Sequence, residues 1–235
     1  MKTIAPSVQR EIKELLDLLI EGDTEIITIP ELEGKLARSI TEGPPLRIKQ
    51  GIDPTSPDVH IGHMVPYRKM RLFQDAGHIG VLIIGDFTAQ IGDPTDRKAE
   101  RVRLDHETTT RNAETYCRQI FRIVDEEKAE VHWQSRWFNN FALNEVIDLA
   151  SEFSVAHLLS HDTFRKRLSP GKRLSLHELL YPTLQAMDSL QIHSDVELGG
   201  MDQKFNILCG RDLMRAKGLE PQVALLTPLL PGTDG

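Results

Sequence analysis

The chain has 235 residues, 40% of them hydrophobic and 27% charged, as expected for one soluble globular domain with or without an inserted subdomain. Its net charge of −7 argues against a broad basic surface, so we expect any nucleic-acid contact to be local. Cys117 and Cys209 are far apart and predict neither a disulfide framework nor a cysteine zinc site. The N-terminus does not resemble a signal peptide and no apolar run reaches membrane-spanning length, so the sequence predicts a cytoplasmic protein outside the membrane.

The beginning of the chain predicts an N-terminal helical segment over residues 1–45. Apolar residues recur at helical spacing from Ser7 to Ile20, and Pro30 stands near the start of a second, shorter helix. The sequence "TEGPP" then marks a turn before the rest of the chain, residues 46–235.

A strand, a helix and another strand are expected next. Residues 46–52 alternate like a strand, residues 60–76 are typical of a helix closed by Gly77, and the apolar run 81–87 is typical of a buried parallel strand. This order of elements predicts a βαβ unit.

Helices and strands continue through the remainder of the chain. We expect helices over residues 105–127, 144–159 and 176–190, a strand over 129–135, a strand, glycine turn and helix within 195–218, and a last strand over 222–230. The sequence therefore predicts an α/β fold with a helical insertion at about residues 100–175. Ligands in such sheets bind at the carboxyl ends of the strands.

Two histidines stand where the loop after the first of these strands turns into a helix. His60 and His63 share one helix face, and Gly62 between them leaves room for a ligand beside the backbone. A helix N-terminus attracts phosphate, and two imidazole donors there would stabilise charge that develops in phosphoryl or nucleotidyl transfer. Two unrelated histidines or a metal-binding pair are the alternatives. Neither a G-x-G-x-x-G fingerprint nor a P-loop occurs in the sequence.

Several further polar residues have ordinary explanations when each is taken alone. Tyr181, Gln185 and Asp188 are spaced to lie on one helix face, which is usually a solvated face. Asp93 stands in a Gly-Asp-Pro-Thr sequence typical of a turn, and Asp202 near a helix start is typical of an N-cap. The residue types alone leave these alternatives open.

Four segments taken together resemble a known family. They are "GIDPTSPDVHIGH" at 51–63, "IGDPTDRKAER" at 91–101, "YPTLQAMD" at 181–188 and "ELGGMDQKFN" at 197–206. His-Ile-Gly-His is the signature of class I aminoacyl-tRNA synthetases, and the four segments in register resemble bacterial tyrosyl-tRNA synthetases over about residues 5–235. The resemblance implies a Rossmann-like catalytic domain that activates tyrosine with ATP, releases pyrophosphate and passes the tyrosyl group to tRNA. Such chemistry rests on positioning and charge stabilisation, without a protein nucleophile.

The resemblance also implies roles for individual residues. Those implied in tyrosine binding are Asp93, Tyr181 and Gln185 at the ammonium group, Asp188 at the phenol O–H, and Gln203 near the reacting carboxylate. Those implied in ATP binding are Gly51, Asp53, Thr55, His60, Gly62, His63, Gly200 and Asp202. Of these, His60, His63 and Thr55 are the implied catalytic residues.

Two positions depart from the family's common pattern. Lys49 stands where most members have a tyrosine that shares the phenol contact, and this chain is similar in that respect to a subset of bacterial enzymes. By its position in the pattern, we expect Lys49 to belong to the tyrosine-binding residues with those named above. Met201 replaces the usual small hydroxyl residue, which is a milder change.

Partners follow from the same resemblance. It implies Mg²⁺ carried with ATP, no resident metal site, tRNA(Tyr) as acceptor, and a homodimer formed within about residues 110–170. Candidate interface aromatics, which the insertion's own core explains equally well, are Trp133, Trp137, Phe138 and Phe141. Basic residues expected to be solvated, or to contact the acceptor stem, are Arg97, Lys98, Arg101 and those within 165–173.

The family's lysine-rich loop and tRNA-binding C-terminal domains are absent from residues 1–235, and Lys217 is the last lysine. Three alternative functions stand beside tyrosine activation: a tryptophanyl-type synthetase, a small nucleotidyltransferase, and a non-catalytic paralogue that binds tyrosine or RNA. Asp188 favours a phenol over an indole, and the segments at 181 and 199 have no role in a small nucleotidyltransferase.

Overall fold

A six-stranded sheet forms the centre of the structure, a computed structural model that describes residues 5–93, 105–169, 171 and 173–230. The strands are β1 (Glu25–Ile27), β2 (Arg47–Ile52), β3 (Ile79–Ile84), β4 (Ala129–Trp133), β5 (Val196–Gly200) and β6 (Val223–Thr227). The helices are α1 (Pro6–Ile20), α2 (Ile29–Glu42), α3 (Ile61–Asp75), α4 (His106–Ile120), α5 (Ser135–Phe138), α6 (Leu143–Ser151), α7 (Val155–Leu159), α8 (Asp162–Leu168), α9 (Leu176–Gln191) and α10 (Lys204–Ala216). None of the helices within these ranges is long and apolar enough to cross a membrane.

The strand order explains where a ligand can enter the sheet. The order is β1-β6-β5-β2-β3-β4, and every neighbouring pair is parallel except β1 with β6. From β2 the chain proceeds outward to β3 and β4, whereas β5 and β6 follow on the other side of β2. The direction of winding therefore reverses between β2 and β5. A crevice at the carboxyl ends of the strands is expected at such a reversal.

Apolar side chains pack on both faces of the sheet. On one face Leu82 of β3 joins a cluster with Leu19 of α1 and Leu36 of α2. Val81 and Ile83, its neighbours in the strand, belong to a different cluster because successive strand side chains point to opposite faces. The sheet is therefore buried between two layers, as its continuous apolar runs predict.

Most predicted elements are confirmed, along with the α/β class. The helix predicted over 7–20 is α1, the strand over 46–52 is β2, the helix over 60–76 is α3, and the helix over 176–190 is α9. The predicted parallel pairing of the first two long strands is confirmed by the register of β2 on β3, in which Arg47 faces Ile79 and Ile52 faces Ile84.

Two predicted helices are shorter than expected. The helix predicted over 105–127 ends at Ile120, because Gln74 of α3 accepts the Asp125 N–H at 2.8 Å and holds the following turn in a different conformation. The helix predicted over 144–159 is two helices, α6 and α7. Ser154 caps the second one by accepting the His157 N–H at 3.1 Å.

Three further features were not anticipated in the sequence. β1 is a three-residue antiparallel edge strand, so the segment 1–45 contributes to the sheet as well as two helices. The strand predicted over 129–135 is β4, but its place was not predicted: it lies within the segment 100–175, expected to be a helical insertion, and forms the other edge of the sheet. The basic residues Arg165 to Arg167, expected in a loop, lie in α8, where Arg167 pairs with Glu178 of α9 at 2.5 Å. Arg97, Lys98 and Arg101 lie outside the described residues.

Candidate active site

Polar side chains gather at the carboxyl ends of β2, β3 and β5, next to the point where the winding reverses. Asp53 follows β2, Thr88 follows β3 in a short 3-10 turn, and Gln203 follows β5 in another. Helix α9 crosses the same region and contributes Tyr181 and Asp188. The structure thus brings together residues that are up to 150 positions apart in sequence, since Asp53 and Gln203 both lie here.

The two histidines lie at the start of α3. His60 is the N-cap residue, with no side-chain capping bond, and the His63 ring stacks on it with centroids 3.6 Å apart. Burial lowers the pKa of His63 to about 4, assisted by the charge of His60. A side chain at Gly62 would crowd the His60 ring, because a Cβ there would lie 3.0 Å from it. The first turn of α3 therefore lies beside two imidazoles, and a helix N-terminus with such donors suits an anion.

Asp53 joins the loop after β2 to helix α9. One carboxylate oxygen accepts the Tyr181 hydroxyl at 3.0 Å and the other accepts the Thr88 hydroxyl at 2.7 Å. Gly85 is required here, since a Cβ at that position would lie 2.0 Å from Asp53. Burial, together with the nearby negative charges of Asp53 and Asp93, raises the pKa of Tyr181 well above its ordinary value. Tyr181 therefore remains a hydroxyl donor at neutral pH.

Asp93 and Gln203 connect the loop after β3 to the start of α10. The Gln203 amide donates to Asp93 at 2.7 Å, while its oxygen accepts from Asn206 at 3.0 Å. With Asp53, Asp93 supplies a second negative charge near Tyr181, and a cationic group fits between such carboxylates. Asp202, at the same turn, is exposed.

Asp188 is a buried carboxylate with two neutral donors. Gln134 donates to one oxygen at 2.7 Å and the Trp137 indole N–H donates to the other at 3.1 Å. Burial raises the pKa of Asp188 to about 7, while the positive charge of Lys49 opposes the rise. A carboxylate accepts about four hydrogen bonds, so Asp188 retains capacity for a further donor such as a phenol.

Lys49 does not lie free beside Asp188. Its ammonium group donates to Glu197 at 2.8 Å, to the Ser189 hydroxyl at 2.8 Å and to the Gln185 carbonyl at 3.1 Å. The three N–H groups are thereby used within the protein. Gln185, predicted at the substrate ammonium, donates its own amide to Glu197 at 3.1 Å.

The remaining predicted residues lie at the rim of the cluster. Thr55 is half-buried and its backbone N–H donates to the Asp53 carbonyl at 2.8 Å. Gly51 is exposed near the end of β2, and a Cβ at Gly200 would lie 2.4 Å from Asp202. Both glycines therefore leave backbone accessible at the carboxyl ends of strands.

Glu197, Gln134, Trp137 and Thr88 were missed as site residues. The sequence does contain a signal for Glu197, because Glu197 and Lys49 are both charged residues inside predicted strands. A charge in a buried parallel strand requires a counter-charge, and the register places these two directly opposite each other. The other three lie in a loop, a 3-10 turn and the four-residue helix α5, all too short for a sequence periodicity to specify their positions.

Comparison with known proteins shows the family of this chain and the class of its fold. A family model described as tRNA synthetases class I (W and Y) matches residues 41–235, and the chain therefore belongs to that family. The mitochondrial tyrosyl-tRNA synthetase of Coccidioides posadasii, solved in a C-terminally truncated form, superposes with a TM-score of 0.77 at 24% identity. The alignment covers 97% of this chain and 73% of that one. This likeness shows the fold, and the expectation of a Rossmann-like class I catalytic sheet is confirmed.

Individual relatives are more similar in sequence. The tyrosine--tRNA ligase of Carboxydothermus hydrogenoformans is 47% identical over 225 residues, which cover 96% of this chain and 55% of that protein. The tyrosine--tRNA ligase of Dehalococcoides mccartyi strain CBDB1 is 50% identical over 218 residues, covering 93% of this chain and 54% of that protein. The chain thus spans about half the length of the curated relatives it matches.

Proposed function

We propose that this chain is the catalytic region of a tyrosine--tRNA ligase, which activates L-tyrosine with ATP and then transfers it to tRNA(Tyr). The observation that carries the proposal is the buried Asp188 carboxylate, held by Gln134 and Trp137 beside the Asp53, Asp93 and Tyr181 group. The relatives named tyrosine--tRNA ligase and the class I family membership support it.

Tyrosine has a phenol at one end and an ammonium group at the other, and the site has suitable groups for each. Asp188 would accept the phenol O–H, which satisfies a buried carboxylate. The ammonium group would lie among Asp93, Tyr181 and Gln185, where nearby carboxylates favour a cation. Sites that hydrogen bond a substrate hydroxyl reject the analogue lacking it, and tyrosyl-tRNA synthetases are the standard example.

ATP would bind at the start of α3, beside the amino acid. The helix N-terminus and the two imidazoles would face the phosphates, with Thr55 and Asp53 next to them, while Gly200 and Asp202 would meet the ribose. The tyrosine carboxylate attacks the α-phosphorus, a P–O bond forms, and pyrophosphate leaves with the electrons of the broken bond. His60 and His63 would donate hydrogen bonds to the charge that develops on the phosphate oxygens.

Mg²⁺ belongs to this proposal as a companion of ATP. The described ranges contain no group of three or more His, Cys, Asp or Glu side chains arranged to hold a metal ion. A magnesium ion bound to substrate phosphates keeps several of its waters and needs few protein ligands. The ion would neutralise charge on the departing pyrophosphate.

A homodimer and a cytoplasmic location complete the proposal. Of the candidate interface aromatics, Phe138 is buried and Trp137 and Phe141 pack against it inside the insertion. Large apolar side chains that are instead exposed on this part of the chain are Leu143, Ile147, Val155 and Leu168. A contiguous patch of exposed apolar residues marks an interaction surface, and the dimer proposal requires these side chains to form one.

Isothermal titration with tyrosine, phenylalanine and tryptophan tests the amino-acid specificity. We expect tyrosine to bind most tightly, and Asp188→Ala to remove most of its advantage over phenylalanine. Asp212→Ala, an exposed change on α10, is the matched control. Equal binding of phenylalanine by the unaltered chain would contradict the assignment, and preferential binding of tryptophan would favour the tryptophanyl alternative.

ATP–pyrophosphate exchange tests the reaction itself. Tyrosine-dependent exchange by a protein containing this chain would support an activating enzyme. Tight tyrosine binding with no exchange, in a protein that also carries the remaining segments of its relatives, would favour a non-catalytic paralogue.

A further inference from the structure

A buried ion pair lies directly behind the candidate tyrosine site. The Lys49 ammonium and the Glu197 carboxylate are 2.8 Å apart, and their side chains are 0% and 1% exposed. Lys49 is in β2 and Glu197 is in β5, opposite each other in the parallel register. The pair therefore sits at the point where the winding of the sheet reverses.

Stability alone does not explain such a pair. Removing two charges from water costs several kcal/mol per ion, and well-packed apolar residues of similar volume are often at least as stable in its place. A pair in this position is better explained by what its atoms contact.

The contacts of the pair lead to the substrate-facing helix. Lys49 donates to the Gln185 carbonyl and to the Ser189 hydroxyl, which follows Asp188 in α9. Glu197 accepts the Gln185 side-chain amide at 3.1 Å and the Ser189 hydroxyl at 3.2 Å. The pair thus fixes the backbone and side chain of Gln185 and the turn of helix that carries Asp188.

The charged and polar groups around Asp188 come from several elements. Lys49 approaches from β2, Glu197 from β5 and Tyr181 from α9 itself, while Gln134 and Trp137 precede or belong to α5. Burial is the largest influence and raises the pKa of Asp188. Lys49 lowers it, and Glu197 raises it by less than Lys49 lowers it.

We propose that Lys49 and Glu197 are positioning residues for tyrosine recognition, holding Gln185 toward the substrate ammonium and a positive charge beside Asp188 so that its carboxylate accepts the phenol. This inference rests on the proposed function. It assigns Lys49 a role behind the site in place of direct contact with the phenol. It also adds Glu197, which has no other assigned role.

The pH dependence of binding distinguishes this role from a merely structural one. The ionised carboxylate accepts the phenol O–H, so tyrosine affinity should increase as pH rises through about 7. Phenylalanine offers no donor, so its affinity should stay level or fall over the same range. The ratio of the two dissociation constants removes effects of the shared ammonium and carboxylate groups. We therefore expect this ratio to change sigmoidally with pH, with a midpoint at the pKa of Asp188. The variant Asp188→Asn should abolish the change.

Two variants should move this midpoint in opposite directions. Glu197→Gln removes the negative charge but leaves Lys49, so the midpoint should fall. Gln222 donates its amide to Glu197, and a rotation of that amide would turn its oxygen, which lacks a partner among the described residues, toward the new amide. The double variant Lys49→Met, Glu197→Gln removes both charges. Because Lys49 lowers the pKa of Asp188 by more than Glu197 raises it, the midpoint should rise. Each unit of displacement changes tyrosine affinity up to about tenfold at a fixed pH below the midpoint.

The measurement is isothermal titration of both amino acids from pH 5.5 to 8.5, with thermal unfolding as a check on folding. Opposite displacements support the proposal, and if the double variant does not fold, the direction of the Glu197→Gln displacement decides. An unmoved midpoint, or equal weakening of tyrosine and phenylalanine at every pH, would overturn it. If the unaltered chain shows no preference for tyrosine at any pH, the proposed function itself fails. If tyrosine is preferred but neither variant moves the midpoint of the ratio, only the role of the ion pair is overturned.

Discussion

The imidazole ring of His63 lies against that of His60, with centroids 3.6 Å apart and planes 20° from parallel. His63 is half-buried and His60 is exposed, so the outer ring shields the inner one from water. Two adjacent imidazolium ions repel each other, and burial further disfavours the charged form of the inner ring. Burial and the neighbouring ring therefore keep His63 in its neutral form at neutral pH.

The titration of His63 follows from this stacking. Its pKa should lie near 4, well below that of an ordinary histidine, when measured by NMR of the ring resonances against pH. His60→Ala should raise the pKa of His63, because it removes both the neighbouring ring and part of the burial, and should leave the pKa below 6.5, because the rest of the protein still buries the ring. A titration midpoint near 6.5 in the unaltered chain would show that the His63 ring is more exposed in solution than in the structure.

Catalysis gives a separate prediction for the same two residues. His60→Asn and His63→Ala should each slow tyrosine-dependent pyrophosphate exchange by on the order of 10²-fold, because their hydrogen bonds strengthen as charge develops on phosphate. Tyrosine affinity should change by less than about twofold, since neither ring lies among the groups proposed for tyrosine. His193→Asn is the control, because His193 is exposed and lies just before the amino end of β5, whereas the candidate site lies at the carboxyl ends of the strands. A large loss of tyrosine affinity with unchanged turnover would place the histidines elsewhere.

The raised pKa of Asp188 makes a prediction about stability. The folded state holds this pKa at about 7, whereas the unfolded value is 3.8, so the folded state favours the protonated form. The corresponding stabilisation is fully present below about pH 3.8 and is lost as pH rises through 7. The free energy of unfolding of the unaltered chain, relative to Asp188→Asn, should therefore decrease between pH 5 and pH 8 in urea titrations without tyrosine. A constant difference across this range would contradict the raised pKa.

Two glycines provide a matched test of the space around Asp53. Gly85→Ala would place a Cβ 2.0 Å from Asp53 and 2.7 Å from Thr88, so it should displace Asp53 and weaken tyrosine binding. We expect a loss of stability of about 1–3 kcal/mol, as for other overpacked sites. Gly34→Ala in α2 meets only Arg38, at 3.8 Å, and should stabilise the helix by up to about 1 kcal/mol. Equal effects of the two substitutions on tyrosine affinity would show that the contact between Gly85 and Asp53 has no role in binding.

The exposed apolar residues of the insertion predict how copies of the chain associate. Ile147 is 59% exposed on α6 and Val155 is 62% exposed on α7. If these helices form the proposed dimer interface, Ile147→Asp and Val155→Asp should convert a dimer into a monomer in sedimentation velocity, with unchanged circular dichroism. Leu18→Asp, on the exposed side of α1, should leave the dimer intact. A monomeric unaltered chain at high concentration would remove the proposal.

The local elements of this protein could be predicted from the sequence because local periodicity reflects burial. The apolar runs at 46–52 and 81–87 correspond to β2 and β3, and helical spacing gave α1, α3 and α9 to within a few residues. The His-Ile-Gly-His tetrapeptide was correctly expected at a helix start, because the helix pattern begins there. Strand β1 escaped prediction, since three residues show no measurable period.

Contacts between distant residues were decided only by the tertiary structure. Tyr181 was expected at the amino acid and Asp53 at the nucleotide, yet the fold joins them by a hydrogen bond across 128 positions. Likewise, the charges at Lys49 and Glu197 are visible in the sequence, but their pairing depends on β5 lying beside β2. Which strands become neighbours is set by packing of the whole sheet between its helices, a long-range property that no local pattern of residues specifies.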